Sequence, residues 1–207
     1  MTLPTSSGQA RLRPLVLASQ SASRREMLVA AGVDFEAIPA HIDERAIEEN
    51  QAGKPPEVIA LLLAEQKAFA VSCEQRDALV LGSDSLVAVD GKRFDKPKSR
   101  DEAAAHLRFF AGRVMYLHSA AALVRDGATL WTHAATAELH VRPMSDSFIE
   151  SYLDAEWPAV AGCVGVFRIE ARGVQLFERI DGDHFTVLGM PLLAVLGALR
   201  DLGELPR

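Results

Sequence analysis

Short apolar runs and longer periodic stretches alternate along the first half of the chain. Leu15-Val16-Leu17 is an apolar run of strand length. After Ser19-Gln20-Ser21-Ala22-Ser23, Arg24 and Arg25 open a helix that ends at Gly32. Phe35–Ile38 reads as a second strand stopped by Pro39, and residues 40–55 as a charged, irregular segment. Pro56 suits a first helical position, and Glu57–Cys73 predicts a helix with apolar residues at 58, 61, 62 and 69. Ala78–Val89 is strand-like, but Ser83-Asp84-Ser85 interrupts its apolar run, and Asp90-Gly91 signals a hairpin turn. Ser99-Arg100-Asp101-Glu102 is a capping box for a helix to about Phe110, closed by Gly112. Two long strands, 113–125 and 128–142, flank Asp126-Gly127. Ser145 caps a helix through Glu156, which Trp157-Pro158 stops. Val174–Ile180 predicts a strand turning at Asp181-Gly182, and Pro191–Leu202 a final helix. Alternation of strands and helices, interrupted by a hairpin, predicts an α/β fold with a mixed sheet.

Residues 1–13 are polar and read as a frayed, disordered tail, and 14–207 as a single domain. A chain of 207 residues, 49% of them apolar, can bury a full core without disulfides or metal staples. The formal charge of −6 argues against nucleic acid as a partner. A small phosphorylated ligand needs only a local cationic pocket. Cys73 and Cys163 form neither a disulfide framework nor a zinc motif and suit a reducing compartment. With no apolar leader and no uncharged run near ~18 residues, a soluble cytoplasmic protein without membrane contact is expected.

Four constellations carry candidate chemistry. Ser19-x-Ser21-x-Ser23-Arg24-Arg25 lies between a strand and a helix, where backbone N–H groups bind anions. Two arginines in a first helical turn oppose the helix dipole, and a docked phosphate would reverse that cost. The plainer alternative is a serine cap beside two solvated arginines. Asp84, breaking a strand between Ser83 and Ser85, suits a strand end facing a cleft, as a metal ligand or proton acceptor. An outward-facing strand position is the competing reading. Lys67, Lys96 and the Asp43-Glu44 pair supply phosphate-binding and metal-binding charge, or are simply solvated. Finally, Gly82-Ser83-Asp84-Ser85-Leu86 is similar to a Gly-Asp-Ser-Leu esterase signature with one serine inserted. On that reading Ser85, His184 and Asp181 would be nucleophile, base and orienter.

In order along the chain, these pieces resemble the Maf family of nucleoside triphosphate pyrophosphatases. The resemblance runs from about 15 to about 202. It is carried by Ser19-Gln20-Ser21 through Arg24-Arg25, Asp43-Glu44, Lys67-Ala68, Gly82-Ser83-Asp84 and Lys96-Pro97. Gly165 to Glu170, Ile180 to Asp183 and Gly189-Met190-Pro191-Leu192 continue it. It implies an elongated α/β fold, inosine triphosphatase-like, with a mixed sheet, flanking helices and two lobes around a central cleft. It also implies cleavage of the α–β bond of a nucleoside triphosphate to a monophosphate and pyrophosphate, with Mg²⁺ or Mn²⁺. Asp84 would be the general base, and Glu44 and Asp84 would lie near the metal. Ser19, Ser21, Arg24, Arg25, Lys67 and Lys96 would surround the triphosphate. A homodimer is a family-based expectation.

Three positions separate the family's branches, and here they are Ser23, Ser85 and Glu170. The Gly-Ser-Asp sequence, the spacing before Arg24-Arg25 and Glu170 resemble the branch acting on 7-methyl-GTP. Ser23 and Ser85 stand where that branch has Trp and Gln. The alternatives are a dTTP- or UTP-preferring pyrophosphatase of the same family and a nucleotide-binding regulator of cell division.

Overall fold

The structure is a computed structural model, and it describes residues 15–207. The expected tail, residues 1–13, lies outside the described residues. Seven strands form one mixed sheet: β1 (Leu15–Leu17), β2 (Phe35–Ala37), β3 (Leu79–Val89), β4 (Lys92–Phe94), β5 (Val114–Arg125), β6 (Ala128–Val141) and β7 (Phe177–Asp181). The order is β2-β1-β3-β5-β6-β7, with β4 also on β3. β1 lies parallel to β2 and β3, and every later pairing is antiparallel. The helices are α1 (Ala22–Ala30), α2 (Glu44–Glu49), α3 (Pro56–Glu74), α4 (Arg100–Phe110), α5 (Asp146–Glu156), α6 (His184–Val187) and α7 (Leu192–Asp201). None is long and apolar enough to cross a membrane.

Local chemistry explains the element boundaries. Ser21, Ser99 and Ser145 each accept a hydrogen bond from the third residue of the helix they cap. Asp90-Gly91 and Asp126-Gly127 all have positive φ, the geometry of a tight hairpin turn that matches strand twist.

Four expectations change. β3 runs unbroken through Ser83-Asp84-Ser85, because each residue pairs with β5 and Asp84 sits opposite Ala120. Asp84 is therefore mid-strand rather than at a strand end. Residues 44–49, expected to be irregular, form α2, capped by Asp43. The predicted strand at Val174 begins only at Phe177, after a 3₁₀ turn over Arg172–Leu176. α3 buries Ala60, Leu63, Ala64, Ala68 and Val71, leaving Val58 and Phe69 exposed. Gly82 chooses that face. A Cβ there would stand 2.0 Å from the Ala64 carbonyl oxygen and 2.7 Å from the Ala68 nitrogen, so α3 rests directly on the strand backbone.

The main cores lie at opposite ends of the sheet. One joins β1, α1 and α7 to the first part of β3. The other joins α4, α5 and the last part of β3 to β5 and β6. Between them one edge of β3 is open: β1 pairs with 79–81, β4 with 87–89, and no strand pairs with 82–86 on that side.

Candidate active site

The open stretch of β3 carries Gly82-Ser83-Asp84-Ser85-Leu86, and strand alternation sends its side chains to two faces. Ser83 and Ser85 point to the α1 side, and Asp84 to the α3 side.

On the α3 side, the close seat of Ala64 and Ala68 on Gly82 brings Lys67 across to Asp84. Lys67 Nζ lies 2.5 Å from Asp84 Oδ1 and 2.9 Å from Glu44 Oε1. Asp84 is buried and Lys67 nearly so. α2 is fixed across the gap by Glu44 on Lys67 and by an ion pair of Glu48 with Arg93 on β4. Arg93 and Glu48 are parts of the site that the sequence reading missed.

On the α1 side, Arg24 turns inward instead of into solvent. Its Nε donates to the Gly189 carbonyl at 2.9 Å and its Nη1 to the Ser83 carbonyl at 2.8 Å. Ser19 Oγ accepts from Nη1 at 3.2 Å and Ser85 Oγ from Nη2 at 3.1 Å. The Ser83 carbonyl follows the Leu81 carbonyl, which accepts from Ala18 N. Arg24 thus replaces the strand that is missing from this edge. Burial pulls its guanidinium below the usual arginine range, and the Asp84 and Glu44 charges pull it back up. The Gly189 carbonyl is a hub, accepting also from Ser83 Oγ at 3.2 Å and Ser85 Oγ at 2.8 Å. Gly189 has φ +104, a conformation that favours glycine.

The remaining cations stand at the rim. Arg25 and Lys96 are exposed, and neither side chain has an ion pair or hydrogen bond among the described residues. Lys96 follows β4, whose antiparallel course along β3 leads from Val89 back toward the open stretch. Ser19 and Ser21 form the turn between β1 and α1, with Ser21 N donating to Ser19 Oγ at 3.2 Å.

Ser23 and Glu170 come together although 147 positions separate them. Both line a cavity of about 370 Å³ with Glu26, Met27, Phe185 and Leu188, and α7 supplies Leu192, Leu193 and Leu196. Arg168, two positions before Glu170, holds the buried Glu156 at 2.9 Å. Glu170 makes no ion pair or hydrogen bond among the described residues.

The esterase arrangement does not assemble. Ser85 Oγ meets Arg24, Ser119 and Gly189, and Asp181 pairs with His140 rather than His184.

Two carboxylate groups invite a cation. Glu44 and Asp84 converge on one ammonium, and their hard oxygens fit a divalent ion such as Mg²⁺ or Mn²⁺. Glu138, His140 and Asp181 also meet on β6 and β7, but Arg179 lies against them, 2.8 Å from Asp181 and 2.9 Å from His140.

The family described as Maf-like protein matches residues 14–202. The chain belongs to the Maf family. A 7-methyl-GTP pyrophosphatase of Rhizobium etli is 46% identical over 92% of this chain and 97% of its own length. A nucleoside triphosphate pyrophosphatase of Rhodopseudomonas palustris is 50% identical over 91% and 93%. Among solved structures, the Staphylococcus aureus Ham1 protein aligns with 90% of this Maf chain and 99% of its own, at 16% identity and a TM-score of 0.46.

Proposed function

We propose that this Maf protein is a nucleoside triphosphate pyrophosphatase whose preferred substrate carries a cationic methylated purine, 7-methyl-GTP. The reaction class is that of its family: hydrolysis of a phosphoanhydride in a nucleoside triphosphate. The base preference rests on one observation, the cavity shared by Ser23, Glu26 and Glu170. An apolar wall takes a ring, and two carboxylates favour a ring with positive charge. Glu170 can accept hydrogen bonds from both N1–H and the exocyclic amine of a guanine. The small Ser23 leaves room above α1.

The phosphates extend toward the turn between β1 and α1. Ser19 and Ser21 hydroxyls and the Arg25 guanidinium donate to them from one side, and Lys67 and Lys96 bring charge from the other. Arg24, beneath that turn, fixes its position through Ser19 and ties it to Ser83 and Gly189. Asp84 uses Oδ1 on Lys67 in the free protein, and its carboxylate accepts the proton of the water that attacks the α-phosphorus, with pyrophosphate leaving. A divalent ion between Glu44 and Asp84 would supply charge neutralisation on the triphosphate.

The test is a panel of triphosphates assayed for pyrophosphate. 7-Methyl-GTP should have the highest kcat/KM, and Glu170→Gln should lower its ratio to dTTP and UTP about ten- to a hundredfold. An unchanged ratio would place base reading elsewhere. Stepwise release of orthophosphate would overturn the reaction itself.

A further inference from the structure

Among the described residues, Lys67 alone touches both carboxylates. Its side chain is 12% exposed, and its ammonium lies 2.9 Å from Glu44 Oε1 and 2.5 Å from Asp84 Oδ1, joining α2 to β3. These are the two side chains that the reading above gives to the divalent ion, and the present inference rests on that reading. We infer that Lys67 is a built-in placeholder cation: in the free protein it occupies the metal position between Glu44 and Asp84, and a metal enters only as Lys67 withdraws to the phosphates.

Three physical points carry this. Without a cation between them, two carboxylates from separate elements would repel, and α2 would lose its ion pair to α3. Mg²⁺ bonds carboxylate oxygens at about 2.0–2.1 Å, so an ion of that kind on these two oxygens would collide with an ammonium already within hydrogen-bond distance of both. Two cations that close repel strongly in a low-dielectric site. Finally, lysine can leave. Its head is a point charge on a flexible four-carbon stem, with no planar geometry to satisfy. Arg24, fixed by four acceptors nearby, has no such freedom.

The consequence is coupling. Metal alone must displace Lys67 from both of its carboxylate partners, whereas a triphosphate offers phosphate oxygens in their place. Each ligand then raises the affinity of the other by the same factor.

Mn²⁺ alone is the probe, titrated into nucleotide-free protein, with free ion read from its electron paramagnetic resonance signal. Lys67→Met and Lys67→Gln should bind Mn²⁺ about tenfold or more tightly than the wild type. Lys67→Arg, which keeps a cation, should stay within about threefold of it. Adding Glu44→Gln to Lys67→Met should abolish the gain. Unchanged or weaker binding in both neutral variants, each shown to be folded by circular dichroism, overturns the placeholder. If Glu44→Gln still weakens binding in that case, the metal site itself stands. If Glu44→Gln changes nothing in either background, the Glu44–Asp84 metal reading fails and the placeholder with it.

Discussion

Gly82→Ala adds one methyl group and should disturb both stability and turnover. The new Cβ would sit 2.0 Å from Ala64 O, 2.7 Å from Ala68 N and 2.9 Å from Ala68 Cβ. Ordinary contact begins at 3.4 Å, and the obstacles are helix backbone rather than a side-chain tip. Helix α3 must therefore lift by about 1.4 Å at this point, or β3 must sink into β5. Overpacking of this kind costs about 1–3 kcal/mol. At about 2–4 °C per kcal/mol for a chain of this size, Tm should fall by about 2–12 °C. Lys67 lies between Ala64 and Ala68, so lifting α3 draws its ammonium from Asp84, now 2.5 Å away. A misplacement near 1 Å is worth about 10²-fold in rate. Differential scanning fluorimetry and a pyrophosphate-release assay measure the two effects. Gly197 on α7 is the control: nothing stands within 4 Å of its Cβ position, so Gly197→Ala should raise Tm. Gly82→Ala with wild-type Tm and turnover would refute the claim that α3 needs this glycine to seat Lys67.

Three further outcomes follow from the same geometry. Asp84→Asn should lower kcat by about 10²–10⁴-fold with the fold intact, whereas Ser85→Ala should stay within about tenfold, because Arg24 and Ser83 still hold the Gly189 carbonyl. Arg24→Lys keeps the charge but cannot serve four acceptors, and should cost about 2 kcal/mol or more in thermal unfolding; an unchanged Tm with a raised KM would make Arg24 a phosphate ligand instead of a clamp. Burial holds both His106 and His118 below the usual histidine range, with Glu102 and Glu57 pulling the other way. The unfolded chain then binds protons that the folded chain refuses, so their contribution is full above about pH 6.5 and is lost as pH falls through the lowered values. Tm should drop between pH 7.5 and 5, and His106→Gln with His118→Gln should flatten that drop.

Residues that act on near neighbours were legible in the sequence. The caps at Ser99 and Ser145 and the hairpin turns at Asp90-Gly91 and Asp126-Gly127 lie where local chemistry predicts, whereas α1 starts at Ala22 behind a Ser21 cap, two residues before the expected opening at Arg24. The belonging of Ser19, Asp84 and Lys67 to one site was legible only through their resemblance to a family, since composition and spacing left each with a plain alternative. What local pattern misread was decided at long range. β3 tolerates Asp84 because Lys67, on another element, neutralises it. α3 turns Ala60, Ala64 and Ala68 inward because Gly82 admits a close backbone, so the larger Val58 and Phe69 stay outside. Arg24 points inward because a carbonyl 165 positions away receives it. α2 has only six residues and none fully buried; Ile47 alone packs on the core beneath α3, and Glu44 and Glu48 add ion pairs to Lys67 and Arg93, partners that local pattern does not announce. Val166 takes φ +57, which no feature of a β-branched residue announces, and Tyr152 OH holds its carbonyl at 3.0 Å.

The open edge at 82–86 also has a mechanical meaning. β3 and β5 run from one core into the other, and each of the ten residues of β3 from Val80 to Val89 is paired with β5. On the β1 and β4 side, no ladder crosses the interval between the cores. The molecule is thus notched on one side and continuous on the other, like a beam cut partway through. Such a beam bends at its notch. Asp84 and Ser85 lie on the uncut strip at that point, nearest the bending axis, and are displaced least by any flexing of the two ends. Residues toward either end, farther from that axis, are displaced more. Flexing of the two ends would then open or narrow the gap on the notched side while the Asp84 carboxylate stays still.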